Sequence, residues 1–230
     1  MRATIDGLWW ETPTVRGIRL RVGADFVFLP GQWLDLWARE GGPAGGYSMT
    51  SSPLLAETVD LALRASAHHP VTRFLHQEAQ EGDEVRISPQ GQGEVFFVPT
   101  MHRRVVLIGA GIGITPLMSI IRHVVASRAP TEMTLLYGAH EPAEIPFRRE
   151  LDAMAQQGRL NLVCTVSEGA GRGLRRGRVD PPLIGDVVER TSREALFYLC
   201  GPAEMIRMSR ESLLQAGVAA PAIRYESWAG

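Results

Sequence analysis

The sequence predicts an N-terminal antiparallel β-barrel followed by a C-terminal α/β domain built on a parallel sheet, and two observations carry that prediction. Through roughly the first hundred residues, short runs alternating apolar and polar positions are separated by glycine- and proline-rich turns. Beyond residue 103 the rhythm changes to short apolar runs alternating with longer helical patterns, which calls for right-handed βαβ crossovers. The composition shift near residues 99–103 divides the chain into domains at 1–101 and 102–230.

In the first part, Arg16 to Val22, Gln32 to Trp37 and Thr58 to Arg64 read as strands. In the last of these Val59, Leu61 and Leu63 alternate with Asp60, Ala62 and Arg64. Leu29-Pro30-Gly31 and Gly41 to Gly46 are turn clusters. A helix over Val71 to Gln80 ends before Gly82-Asp83, and Glu84 to Ile87 is a further strand.

In the second part the expected strands are Val105 to Ile108, Met133 to Tyr137, Leu160 to Thr165, Ala195 to Leu199 and Ala222 to Glu226. Helices are expected over Thr115 to Val125, Pro146 to Gln156, Pro181 to Glu189 and Ala203 to Gln215. The first strand runs into Gly109-Ala110-Gly111-Ile112-Gly113-Ile114-Thr115-Pro116. Glycines between a strand and a helix let the backbone approach a pyrophosphate, whose charge the helix N-terminus favours. Thr115 is expected to cap that helix, with Pro116 in its first turn. Ile114 stands where the third glycine of the standard fingerprint belongs, so the domain reads as Rossmann-like rather than standard.

Composition narrows the function classes. A net charge of -1 gives no electrostatic footprint for nucleic acid. Two cysteines, Cys164 and Cys200, make neither a disulfide scaffold nor an iron–sulfur cluster, which takes four thiolates in its common forms. No His, Asp and Glu cluster has metal-ligand spacing, and His76 reads as structural. Residues Met1 to Thr12 lack a basic region followed by an apolar run, and no apolar stretch is long enough for a membrane span; a cytoplasmic protein is expected.

Tyr47-Ser48-Met49-Thr50-Ser51-Ser52-Pro53, the Gly109 to Pro116 turn, Cys200-Gly201-Pro202 and Tyr225-Glu226-Ser227-Trp228 together resemble the ferredoxin–NADP reductase superfamily. Within it the chain is similar to the cluster-free oxidoreductase NAD-binding domain-containing proteins. The resemblance covers essentially the whole chain and implies a flavin-binding barrel at 1–101 and an NAD(P)-binding domain at 102–230. It implies FAD, or FMN, and NADH or NADPH as cofactors. By this resemblance Tyr47, Ser48, Met49, Thr50 and Ser51 line the flavin, with Ser48 near the atom that receives hydride. Gly109, Gly111, Gly113, Ile114 and Thr115 hold the dinucleotide. Cys200, beside Gly201 and Pro202, contacts the nicotinamide; Glu226 supports proton or hydride movement, and Trp228 shields the flavin.

One departure is plain. The superfamily pattern places an arginine, paired to a flavin phosphate, two residues before the tyrosine, and here that residue is Gly45. Arg64, or the amides at Val71 and Thr72, are the candidates to replace it, while His68 and His69 read as surface histidines. The donor depends on the segment after the third parallel strand. Ser167 and Arg172, with Arg175, Arg176 and Arg178, could meet a 2′-phosphate. Glu168 would repel it, which favours NADH.

The expected function is therefore a flavin-dependent NAD(P)H oxidoreductase that passes electrons to a separate redox protein or a small diffusible acceptor. The alternative is a flavin-less interaction or assembly protein that keeps the fold. A flavin-free dehydrogenase is disfavoured, since no Tyr-Lys or His dyad is present and all 24 basic residues other than histidine are arginine.

Overall fold

A computed structural model of the chain describes residues 1–55, 57–66, 68–100 and 102–226. The first half holds β1 (Arg2–Trp10), β2 (Val15–Arg21), β3 (Trp33–Trp37), β4 (Ala44–Ser48), β5 (Thr58–Arg64) and β6 (Glu84–Ile87). They form one antiparallel sheet in the order β4-β3-β6-β1-β2-β5. The sheet curls until its ends meet where the chain leaves β4. There Met49 bridges Leu61, and the Thr50 amide donates to the Asp60 carbonyl at 2.7 Å. Inward-facing Ile5, Ile18, Leu20, Leu34, Leu36 and Leu61 fill the barrel and are fully buried. Each such side chain contributes roughly 1.5–3 kcal/mol. Helix α1 (Pro70–Gln77) plugs one end with Val71 and Leu75; His69 caps it, its ring nitrogen accepting the Thr72 amide at 3.4 Å.

The second half holds β7 (Arg104–Ala110), α2 (Ile114–Ala126), β8 (Glu132–Ala139), α3 (Arg148–Gln156), β9 (Asn161–Val166), β10 (Leu174–Arg176), α4 (Pro181–Thr191), β11 (Leu196–Cys200), α5 (Ala203–Gln215) and β12 (Ile223–Tyr225). Its sheet is parallel throughout, in the order β10-β9-β8-β7-β11-β12. Helices α2 and α3 cover one face, and α4 and α5 the other. Covered on both sides, the central strands are continuous apolar runs rather than alternating ones, as in Val105-Val106-Leu107-Ile108. The winding direction reverses between β7 and β11. In open α/β sheets such a switch point leaves a crevice at the carboxyl ends of the strands.

The two halves share a core. Val15, Ala62, Val95 and Phe97 pack in one cluster with α2 and the parallel sheet. Ser119 donates to the Ser51 carbonyl at 2.7 Å, and Arg122 donates to the Thr50 carbonyl at 3.0 Å while gripping Glu150 at 2.7 and 2.9 Å. From β11, the Tyr198 hydroxyl donates to the Phe96 carbonyl at 2.6 Å.

The structure confirms the predicted architecture and differs from the sequence reading locally. β1 was not anticipated, because a bulge between Ile5 and Gly7 breaks its alternation. β4 begins inside the Gly41 to Gly46 cluster expected as a turn, and β10 is a strand for which the sequence reading has no counterpart. Helix α1 stops at Gln77 instead of Gln80, with Glu78 as its C-cap. Thr115 is not the cap of α2. A 3-10 turn over Gly111–Gly113 precedes the helix, Gly113 takes the cap position, and Thr115 donates its hydroxyl to the Ile112 carbonyl at 2.9 Å.

Because α2 belongs to a core shared by both halves, Ile121→Ala is expected to cost about 2–5 kcal/mol. In urea denaturation, tryptophan fluorescence of the barrel and circular dichroism of the helices should shift together.

Candidate functional site

A cavity of about 490 Å³ lies where the seam between β4 and β5 faces the switch-point crevice. Gly46, Tyr47 and Ser48 form one lip, Ala62, Leu63 and Arg64 the other, and Thr72 of α1 closes the barrel side. The opposite wall is backbone-rich: Ala110 to Gly113 with Thr115, and Cys200 to Pro202.

The glycine turn is glycine for a reason of contact. A Cβ on Gly113 would sit 2.2 Å from the Cys200 carbonyl oxygen, so the β7–α2 turn can lie against the end of β11 only without a side chain there. The Tyr137 hydroxyl of β8 donates to the Gly111 carbonyl at 2.7 Å and fixes the turn from behind. The leading amides of a helical run have no intrahelical acceptor, so this turn presents donors and a positive dipole end to the cavity.

On the barrel side, the Tyr47 hydroxyl shares a hydrogen bond of 2.9 Å with the Thr72 hydroxyl. Burial pushes the Tyr47 phenol up to about 12, so it stays protonated. Its ring folds back along β4. A Cβ at Gly45 would meet the Tyr47 hydroxyl at 2.5 Å and the His69 ring at 2.8 Å. Tyrosine and histidine thus hem in Gly45, the position where the sequence resemblance looks for an arginine. Burial, reinforced by the negative charge of Glu226, pushes the Cys200 thiol up to about 12 and keeps it neutral.

Tyr47, Ser48, Arg64, Thr72, Gly111, Gly113, Thr115, Cys200, Gly201 and Pro202 thus converge on one cavity. Other candidates stand behind it. Met49, Val71 and Ile114 are core residues, and Gly109 packs on Leu117. Thr50 and Ser51 spend their hydroxyls on Asp60 at the barrel closure. Glu226 accepts the Glu94 and Val95 amides at 2.8 and 3.3 Å, mooring the end of the chain to the barrel. Trp228 lies outside the described residues.

A second cavity, about 560 Å³, adjoins the first across Ala110, Gly111 and Pro202 and extends over Gly138, His140, Ser167, Arg178 and Asp180. The buried Thr165 hydroxyl lies behind Gly138. Ser167 joins His140 by a hydrogen bond of 3.0 Å, and His140 stands 3.6 Å from Glu168. Arg172 does not line this cavity; its carbonyl accepts from Arg148 at 3.5 Å.

A family model described as an oxidoreductase NAD-binding domain matches residues 107–211. Oxidoreductase NAD-binding domain-containing protein 1 of Bos taurus is 30% identical over 252 residues, covering 98% of this chain and 80% of that protein. The chain belongs to the oxidoreductase NAD-binding domain family. Among solved structures, the flavohem-like FAD/NAD binding domain of nitric oxide dioxygenase from Vibrio cholerae matches with a TM-score of 0.84 at 23% identity, over 99% of this chain and 98% of that one. A ferredoxin NADP+ reductase from Neisseria gonorrhoeae, solved with bound FAD and NADP, matches with a TM-score of 0.85 at 21% identity, over 98% and 97%. These likenesses show that this family member shares its two-sheet fold with both proteins.

Sequence reading of this family member missed Ala62 and Leu63, the apolar part of the first cavity's second lip, and His140 and Asp180 of the second cavity, whereas Arg178, expected beside Arg172, does line it. Ala62 and Leu63 belong to the strand Thr58 to Arg64 that the alternation predicts, but only the Met49–Leu61 bridge brings that strand beside the Tyr47-Ser48 lip.

Both cysteines titrate above their ordinary value of 9.0, Cys200 at about 12 and Cys164 at about 11, burial being the main cause. The unfolded chain therefore ionises first as pH rises. Stability from the two thiols is complete below pH 9 and is lost as pH climbs toward 12. Urea midpoints should fall above pH 9, and folded protein below that pH should resist a thiol reagent that labels both cysteines once urea is added.

Proposed function

We propose that this chain is a flavin-dependent reductase that takes electrons from NADH. The observation that carries the reading is the meeting, in one cavity, of the Tyr47-Ser48 lip and the glycine and cysteine turns at the switch point. The residues fit a flavin. The cavity is of small-molecule size, Ala62 and Leu63 give one lip an apolar surface, a buried phenol flanks it, and two close-packed turns face it with backbone. Bound there, a flavin supplies hydride acceptance from nicotinamide and onward release of electrons.

The chain's own residues then have positional work. Ser48 offers a hydroxyl able to donate or accept as the protonation of its partner changes. Cys200, neutral and buried, presents a polarisable thiol rather than a charge to the nicotinamide side. The Gly111 to Thr115 turn meets diphosphate with amides and helix dipole. Tyr47 and Thr72 hold one another and keep water from one edge of the cavity.

The second cavity supports NADH as the donor. Ser167, Glu168 and His140 line up where an adenosine ribose would be read, and Glu141 and Glu168 bring carboxylates within 4.8 Å of the same histidine. That much negative charge disfavours a 2′-phosphate, although Arg178 lines the same cavity.

Purified protein, reconstituted with FAD or FMN, should show flavin absorption that bleaches anaerobically with NADH faster than with NADPH. Colourless protein that retains neither flavin would instead favour the interaction-protein alternative. Glu168→Arg should shift the ratio of kcat/KM values toward NADPH by about tenfold or more, the worth of one charge-assisted phosphate contact.

A further inference from the structure

Among the described residues, Arg64 is the single charged side chain lining the first cavity. On the proposed function that cavity receives phosphate-bearing molecules, yet the usual arginine position is Gly45, hemmed in by Tyr47 and His69. Arg64 is not free. Its guanidinium lies 3.7 Å from Glu144, which sits in the turn after β8 on the other half of the molecule. The Glu144 side chain is only 17% exposed and also accepts the Thr14 hydroxyl of the barrel.

The geometry distinguishes this pair from its neighbours. Arg19–Asp60 and Arg122–Glu150 are two-pronged and short, at 2.7–2.8 and 2.7–2.9 Å. Arg64–Glu144 is one long contact with the arginine half exposed, the kind of pair that contributes little net stability. A phosphate offers the fork of an arginine more charge and two well-placed oxygens, so it competes well. Losing Arg64 does not strand Glu144, because the Thr14 hydroxyl remains to satisfy it.

We propose that Arg64 is the residue that recognises a phosphate ester or diphosphate in this cavity, and that Glu144 is a latch holding it across the two halves until that ligand takes it. This rests on the reading of the cavity as a flavin and nicotinamide site. Arg64 is the anion-binding residue; Glu144 is a positioning residue that acts through it. Ligand entry exchanges a bond between the halves for a bond to the ligand.

The test is a set of equilibrium titrations with riboflavin, FMN, FAD and NADH, read by fluorescence, on wild type, Arg64→Gln, Arg64→Lys and Glu144→Gln, each first checked for an unchanged melting temperature. Arg64→Gln should weaken the phosphate-bearing ligand by about tenfold or more and leave riboflavin unaffected. Loss confined to FMN and FAD assigns the contact to the flavin, and loss confined to NADH to the dinucleotide. Arg64→Lys should fall between. Glu144→Gln should tighten the same ligand several-fold, because the competing carboxylate is gone. Equal binding by wild type and Arg64→Gln, or a parallel loss of riboflavin, overturns the proposal. So does weaker binding by Glu144→Gln. Wild type that binds neither flavin nor NADH overturns the functional reading itself, a result distinct from these.

Discussion

Helix α2 is buried on nearly every side, and the arrangement of the site depends on that fact. An ordinary surface helix keeps one polar face, but Ile114, Leu117, Met118, Ile120, Ile121 and Val124 are all buried, so both the sheet and the barrel claim it. Its polar residues are spent on the same junction: Ser119 and Arg122 bind the carbonyls of Ser51 and Thr50, just past the Tyr47-Ser48 lip. Its leading turn forms the opposite wall of the cavity. One rigid rod thus fixes the distance between the Tyr47-Ser48 lip and the opposite wall, and neither can move without disturbing a close-packed core.

The cavity so framed is nearly free of ionised side chains. Tyr47, Thr72, Ser48 and Cys200 are neutral polar groups, and burial keeps the phenol and the thiol protonated. With few ionised groups to compete, the fixed dipoles of the glycine-turn amides dominate the electrostatics of this wall. This suits chemistry in which bound cofactors do the reacting and the protein governs separation and exposure.

Much of this was legible in the sequence, and the exceptions have physical causes. Strand-to-helix alternation, the apolar β7 run and the glycine turn all reflect local demands, so they could be read locally. β4 could not: Ala44-Gly45-Gly46-Tyr47-Ser48 has the composition of a turn and is a strand only because β3 pairs with it along its whole length. Thr115 missed its expected cap role because the 3-10 turn brings the cap to Gly113, two positions earlier. Glu144 was invisible for a different reason. It meets Arg64 and Thr14 only through tertiary packing of the two halves, and no spacing along the chain announces it.

Among the described residues the barrel closes at the Met49–Leu61 bridge and the adjoining Thr50–Asp60 bond, and the strand edges lining the cavity at Gly46–Ser48 and Ala62–Arg64 lie to one side of them. A slit barrel of this kind exposes main chain where a complete one would hide it. A flat heterocycle with donors and acceptors along one rim can be met there by peptide groups, which every residue but proline supplies in full. Recognition written in peptide groups survives wholesale exchange of side chains. That makes intelligible how chains only 21–23% identical to this one keep the same two-sheet frame.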